Sequence, residues 1–338
     1  MVFENVSIAS IAHVDAPIRI TSSEVEEQLA PTMDRLKIRP GLLESLSGIK
    51  ARRLWEAGTQ PSQAATKAAK LALEHGDVSP GQVGFLINTS VCRDYLEPST
   101  ACLVHGNLKL PATCMNYDIG NACLGFMNGM DIAAQMLENA MIDYALVVDG
   151  ESSRFPLEQT IERLLDPECS EHDFRSQFAT LTLGSGSVAM LLTRRNLRPK
   201  APRYIGGVTR AATQYNRICL GQPDKMLTDT KELLVRGIEL ASQTFVQARA
   251  VLGWSSNVLD ELVLHQVSKA HTEKLADFLR LDLNKAVCIY PEYGNIGPAS
   301  VPIVLSKAIE AGRVGPGARV GLLGIGSGLN CSMAEIRF

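Results

Sequence analysis

No stretch of this chain runs apolar for the ~18 residues that a membrane-spanning helix requires; its hydrophobic segments are strand-sized or interrupted. Positive charge is not in excess either, with 33 Lys and Arg facing 36 Asp and Glu and a net charge of −3. A nucleic-acid binder would carry a basic footprint, so that class is set aside. The eight cysteines, at 92, 102, 114, 123, 169, 219, 288 and 331, include no CxxC pair. Such scattering fits reduced thiols better than a disulfide framework or a zinc site. The segment MVFENVSIASIAHVDAP carries Glu4 and His13 and no basic leader, which points to a soluble, cytoplasmic protein. Aromatic residues make up only 5% of the chain, as tightly packed helix-on-sheet layers allow. The 338 residues suffice for two ordinary domains or one large α/β unit.

What is present is a rhythm. Short apolar runs bounded by turn residues alternate with longer helical patterns, which reads as α/β. In the first half, a helix across SQAATKAAKLALEHG leads to the strand VGFLINTS. A small-residue turn holding Cys123 then opens the helix FMNGMDIAAQMLENA, and the strand YALVVDGE follows. The second half repeats the order with the helix ELLVRGIELASQTFVQARAVLG, the strand ELVLHQVS, the turn EYGNIGPAS, the helix VPIVLSKAIEAG and the strand RVGLLGIGSG. Asn88 and His265, Cys123 and Asn295, Asp149 and Ile325 keep nearly the same separation. The chain is therefore expected to hold two duplicated halves, 1–195 and 196–338, although any α/β protein repeats βαβ units. Residues 152–182 break the pattern with many charges and Pro167, and read as a helical insertion, either a solvated surface or dimer element or a lid over a pocket.

Four positions carry chemistry. Cys123 sits among Gly120, Asn121, Ala122 and Gly125 at the start of a helix. Helix N–H groups there favour thiolate, as a nucleophile needs; a cysteine in an apolar stretch is also an ordinary small core residue. His265 ends an apolar strand, where ligands of parallel sheets gather, and Asn295 stands in the second half where Cys123 stands in the first. A satisfied core histidine and an Asn helix cap are the plain alternatives. Glu97, next to Pro98, is either a base or a helix-start carboxylate. The glycine-rich GIGSGLN follows a strand but matches neither GxGxxG nor GxxxxGK[ST].

Along its full length the sequence resembles the thiolase superfamily, specifically condensing enzymes of the ketoacyl synthase III type, through NACLGF, LHQ, YGNIGPAS and GIGSGLNCS in order and spacing. INTSVCRDYLEPSTA, ARRLWEAG, GGVTRAATQYNR and HGNLKL resemble the OleA-type branch of long-chain olefin biosynthesis. The resemblance implies a thiolase-like five-layer αβαβα fold from two duplicated halves. It implies Cys123 as nucleophile, His265 and Asn295 as oxyanion donors to the enolate, and the N–H groups of Cys123 and Ser327 as the oxyanion hole for the acyl carbonyl. Thiolases take the α-proton with a second cysteine, but this chain has Ile325, Gly326 and Ser327 in that region, and Cys331 lies beyond it. Glu97 stands where the OleA-type relatives carry their base.

The implied reaction is a non-decarboxylative, head-to-head Claisen condensation of two long-chain acyl-CoA molecules through an acyl-cysteine. CoA thioesters are substrates, no metal or redox cofactor is expected, and a homodimer and downstream olefin-pathway enzymes are the implied partners. Arg52, Arg53 and Arg210 are candidates for the CoA phosphates. GLLESLSGIK occupies the place of the adenine-gripping Trp and Arg of initiating synthases, so the carrier is either CoA or acyl carrier protein. The competing readings are a decarboxylating 3-oxoacyl-[acyl-carrier-protein] synthase III that uses malonyl thioester, a non-catalytic subunit of the same fold, and an acyl-binding protein or thioesterase.

Overall fold

The structure, a computed structural model, describes residues 1–255 and 258–338. Its strands are β1 Val6–Asp15, β2 Ile18–Thr21, β3 Ala51–Leu54, β4 Phe85–Asn88, β5 Met115–Asp118, β6 Tyr144–Glu151, β7 Gly186–Arg194, β8 Arg203–Ala211, β9 Cys219–Gly221, β10 Met226–Thr228, β11 Glu261–Leu264, β12 Arg319–Gly326 and β13 Asn330–Arg337. Nine of them form one mixed sheet in the order β11-β12-β13-β8-β1-β7-β6-β4-β5. From β1 outward the pairings are antiparallel to β7, antiparallel to β6, parallel to β4 and parallel to β5. From β8 outward they are antiparallel to β13, antiparallel to β12 and parallel to β11, with a last parallel bridge from Leu262 to Ala286. The two runs meet through the pair Ser7 and Arg203.

Apolar β-branched runs such as LVV in β6 make strands that are buried along their whole length, as expected where helices cover both faces of a sheet. The Ala-rich helix Pro61–His75 packs its alanines on β1, β6 and β7. Helix Thr230–Leu252 covers β8 and β13. Helices Gly125–Glu138 and Ser300–Glu310 lie between the two halves, in a core that takes side chains from both. Helices Arg154–Leu164 and Glu171–Gln177 occupy the segment expected as an insertion, and pack with the N-terminal helices around Leu29, Leu43 and Phe174. Among the described residues no helix is long and apolar enough to cross a membrane. Every major strand and helix named from the sequence is present; the shift is at boundaries, as with VGFLINTS, of which only Phe85–Asn88 is strand.

Candidate active site

Cys123 lies in the bend between β5 and helix Gly125–Glu138. The bend is tight: Ala122 has φ 45, in the left-handed region that non-glycine residues seldom adopt. The N–H groups of Leu124 and Gly125 donate back to the carbonyls of Asn121 and Ala122. Gly125 must be glycine, since a Cβ would stand 2.6 Å from the Thr89 carbonyl oxygen. Asn121 fastens the bend from both sides, donating to Asn128 Oδ1 at 2.7 Å and accepting from Asn330 Nδ2 at 3.2 Å. Gly326 at the end of β12 packs on the same bend; a Cβ there would lie 3.4 Å from the Cys123 nitrogen. That contact brings the Cys123 N–H and the end of β12 to one place.

His265 follows β11 directly. Its N–H donates to the Leu323 carbonyl at 2.8 Å, and the neighbouring Gln266 locks the strand end by donating to Val287 O and accepting from the N–H groups of Ile289 and Tyr290. The imidazole is 2% exposed, yet neither ring nitrogen has a partner. An unpaired buried ring costs roughly 1–3 kcal/mol, a cost that a ligand's oxygen would relieve. Burial, with a smaller contribution from His271, lowers its pKa to about 3, so the ring is neutral at physiological pH.

Asn295 sits in the turn before helix Ser300–Glu310. Its Oδ1 accepts from the Gly297 N–H at 3.0 Å, the local turn bond that Asn commonly makes. This fixes the amide orientation by its hydrogen bond and leaves the Nδ2 donor free. The backbone is pinned as well, with Asn295 N donating to Thr182 O and Gly184 N donating to Asn295 O. Turn bond and free donor coexist, so the cap reading and the oxyanion reading are not exclusive.

Cys123, His265, Asn295 and Ser327 all line one cavity of about 1850 Å³. Ordinary small-molecule sites occupy roughly 300–1,000 Å³, so this one has room for more than a single compact ligand. Residues of the 152–182 segment and of the stretch 218–228 form part of its wall, including Phe155, Phe174, Phe178 and Met226. The helix after Cys123 does not contribute to the wall.

Several expectations need correction. Cys123 is not a lowered-pKa thiol: burial, with smaller contributions from Cys219 and Glu151, pushes it up to about 12. The backbone N–H contribution acts in the expected direction but is outweighed. Arg52 cannot hold a CoA phosphate, because it is fully buried, donates to Ser22 Oγ at 3.1 Å and has its pKa lowered to about 10 by burial. Arg53 stacks on the Tyr293 ring at 5.4 Å, and Arg210 is exposed beside Gln243; neither lines the cavity. The cations that do are Lys37, Arg39, Arg93, Arg154, Arg175 and Lys231. Glu97 is exposed and does not line the cavity of its own chain, although Val91 to Leu96 immediately before it do. The carboxylates that do line it are Glu56, Asp94, Glu151, Glu158 and Glu171; of these Glu151 is buried, and it was missed in the sequence although it ends a strand that reads plainly as β.

Likeness to known proteins agrees with this geometry. Residues 250–338 match the family described as 3-oxoacyl-[acyl-carrier-protein (ACP)] synthase III C terminal. An acyl-CoA:acyl-CoA alkyltransferase of Xanthomonas campestris pv. campestris is 55% identical over 336 residues, covering 99% of each chain. A protein of the same name from Shewanella oneidensis is 35% identical over 351 residues and is covered in full, as is this chain. A β-ketoacyl-[acyl-carrier-protein] synthase III of Clostridium tetani is 27% identical over 356 residues, 99% of each. Among solved structures, X. campestris OleA in a cysteine-to-serine form with bound lauric acid and lauroyl-CoA superposes with a TM-score of 0.98 at 55% identity, covering 99% of this chain and 100% of that one. The same protein has been solved as cysteine-to-alanine, glutamate and histidine variants.

Proposed function

The chain belongs to the OleA family of acyl-CoA:acyl-CoA alkyltransferases, with the thiolase-like fold of ketoacyl synthase III enzymes, and from that premise we propose how its residues divide the work. It is an acyltransferase that condenses two long-chain acyl-CoA molecules head to head in olefin biosynthesis. The observation that carries the assignment of residues is the meeting of Cys123, the unpartnered His265 and the free amide of Asn295 in one large cavity. The cysteine, glutamate and histidine substituted in the Xanthomonas structures are spaced along that chain as Cys123, Glu97 and His265 are in this one.

In this reading the Cys123 sulfur attacks the thioester carbon of the first acyl-CoA, and its negative oxygen is held by the N–H groups of Cys123 and Ser327. The C–S bond to CoA breaks and CoA departs as the free thiol, carrying the proton the cysteine gave up. A thiol buried to a pKa of about 12 holds that proton until attack, so proton loss accompanies bond formation. The second acyl-CoA places its thioester oxygen at His265 and Asn295. Loss of an α-proton to Glu97 gives an enolate whose carbon attacks the acyl-cysteine. The C–S bond to Cys123 breaks, its sulfur regains a proton as Glu97 gives up the one it took, and a 2-alkyl-3-ketoacyl-CoA leaves, which water hydrolyses to the β-keto acid and CoA. This chemistry calls for no metal or redox cofactor, and the CoA thioesters are consumed as substrates. Lys37, Arg39 and Arg93 at the cavity wall take over the phosphate-binding role first sought at Arg52, Arg53 and Arg210.

Glu97 follows Leu96, which is 92% exposed, on a loop that also exposes Val91 and Tyr95. Apolar side chains gathered this way favour a partner surface. We therefore place Glu97 at the interface of a homodimer, serving the cavity of the second copy. The enzyme acts in the cytoplasm, where its CoA substrates are made, and passes its product to downstream olefin-pathway enzymes. The decarboxylating alternative draws on the more distant relatives, at 27% identity. The test is one long-chain acyl-CoA labelled with ¹³C at its carboxyl carbon, without malonyl-CoA, and mass spectrometry of the products. A 2-alkyl-3-keto acid, or its derived ketone from loss of one label, supports the reading. Free fatty acid alone, with condensation restored by malonyl thioester, overturns it.

A further inference from the structure

Glu151 is the last residue of β6, 5% exposed, and the mechanism above gives it no task. Its side chain enters the cavity that holds Cys123, His265 and Asn295. Oε1 accepts from the Val91 N–H at 2.6 Å and Oε2 from the Cys92 N–H at 3.3 Å. Both lie early in the loop between β4 and helix Thr100–Leu108, the loop that carries Glu97. The same stretch is tied to β6 and its continuation at three more points: Thr89 Oγ1 donates to Asp149, the Gly150 N–H donates to Ser90 Oγ, and the Cys92 thiol donates to the Ser152 carbonyl. On its other flank Glu151 meets the Asn295 turn. A Cβ on Gly297 would lie 3.7 Å from the Glu151 carboxyl carbon, and the Gly297 N–H is the one that fixes the Asn295 amide.

One buried carboxylate thus touches the base of the loop that carries Glu97 and the turn that carries Asn295. We propose that Glu151 is a positioning residue for the condensation step, holding the Asn295 turn of its own cavity and, through Val91 and Cys92, the base of the loop that delivers Glu97 to the second copy. The proposal rests on the functional reading above. Two N–H groups on one carboxylate need both of its oxygens as acceptors, so a protonated carboxyl, with one oxygen turned donor, holds the loop less firmly. Burial pushes Glu151 up to about 7, opposed by the donors at Val91 and Cys92. The titratable groups facing it are Asp149 on its own strand, Cys92 on the loop and Cys123 at the bend; the buried Asp149 is likewise pushed up. The carboxylate is therefore about half protonated near pH 7, and the grip on the loop strengthens as pH rises above it and weakens below it. A misplacement of about 1 Å at a reacting group costs up to ~10²-fold, and that loss falls on condensation rather than on acylation of Cys123.

The experiment gives the protein one long-chain acyl-CoA and measures CoA released in the first turnover alongside condensed product. The expected result is that Glu151→Gln lowers condensed product per acyl-enzyme at least about tenfold, with Glu151→Asp, which keeps the charge, intermediate. In the wild type that ratio rises with pH through about 7, and in Glu151→Gln it is flat. The wild-type profile alone keeps the idea testable should the Gln variant fold poorly. A Glu151→Gln ratio and pH profile equal to wild type overturns the proposal, as does an equal loss of acylation and condensation, which would place Glu151's effect on Cys123. Wild-type protein that acylates but never condenses would overturn the functional reading itself.

Discussion

Asn295→Asp is the substitution that isolates one hydrogen bond. The new side chain is nearly isosteric, and its Oδ1 still accepts from the Gly297 N–H, now at 3.0 Å. The backbone bonds from Asn295 N to Thr182 O and from Gly184 N to Asn295 O do not involve the side chain. What disappears is the Nδ2 donor assigned above to the enolate oxygen, and oxyanion donors of this kind are worth roughly 3 kcal/mol, or about 10²-fold in rate. An ionised carboxylate adds repulsion of the enolate, so the condensation rate should fall by ~10²–10³-fold. A buried carboxyl keeps its proton to higher pH and its O–H still donates, so the defect should deepen as pH rises. The assay follows condensed product by mass spectrometry and CoA release by thiol titration in one reaction. First-turnover CoA release should stay within a few-fold of wild type, because acylation uses the other oxyanion hole. Condensation within about threefold of wild type, or loss of both steps together, refutes the assignment of Asn295 to the enolate.

Other outcomes follow from single residues. Glu97→Ala should abolish condensed product while Cys123 still acylates, seen as a thioester-linked mass increase on the intact protein; loss of acylation would contradict it. His265 is held at about 3 when folded and titrates near ~6.5 when unfolded. Between those values the unfolded chain binds a proton that the folded chain refuses, so stability is present above pH ~6.5 and is lost toward 3, by up to ~1.4 kcal/mol per pH unit. His265→Asn should therefore flatten the acid limb of the melting temperature against pH, and an unchanged limb argues against a neutral buried ring. Gly125→Ala drives a Cβ to 2.6 Å from the Thr89 carbonyl, and should cost about 1–3 kcal/mol in denaturant unfolding; a neutral effect would mean that the Cys123 bend is looser than its packing indicates.

What could be read from the sequence divides along physical lines. Tyr144–Glu151 and Ser300–Glu310 are legible because a short apolar run, Tyr144 to Val148, and a 3.6-residue stripe are local signals. Cys123, His265 and Asn295 are legible as a set because strand ends and helix starts of α/β units are where side chains emerge. The sign of the Cys123 shift was not, since a helix start acts locally whereas burial of the thiol, and the like charges of Cys219, Glu151 and Asp149 that add to it, depend on the tertiary fold. Arg52 misled for the same reason: its burial is tertiary, and the groups it meets there, Ser22 and Glu26, are distant in the chain. Glu97 was recognised by its neighbours in sequence, but whether it faces its own cavity depends on the fold of an exposed loop. Glu151 was overlooked because a carboxylate at a strand end reads as solvated until two backbone N–H groups are seen to fill it.

The most direct measurement of the account mixes two inactive chains. Cys123→Ala protein lacks the nucleophile and Glu97→Ala protein lacks the base; each alone should give no condensed product. After the two are co-expressed with separable tags, or exchanged and reassorted, a dimer of one of each holds an intact Cys123 in one copy and an intact Glu97 in the other. If Glu97 serves the second copy's cavity, that mixed dimer has one working site, and a random 1:1 mixture recovers about a quarter of wild-type condensation. Recovery near that level is the predicted result. No recovery, from mixed dimers shown to have formed, would contradict the division of the reaction between two copies.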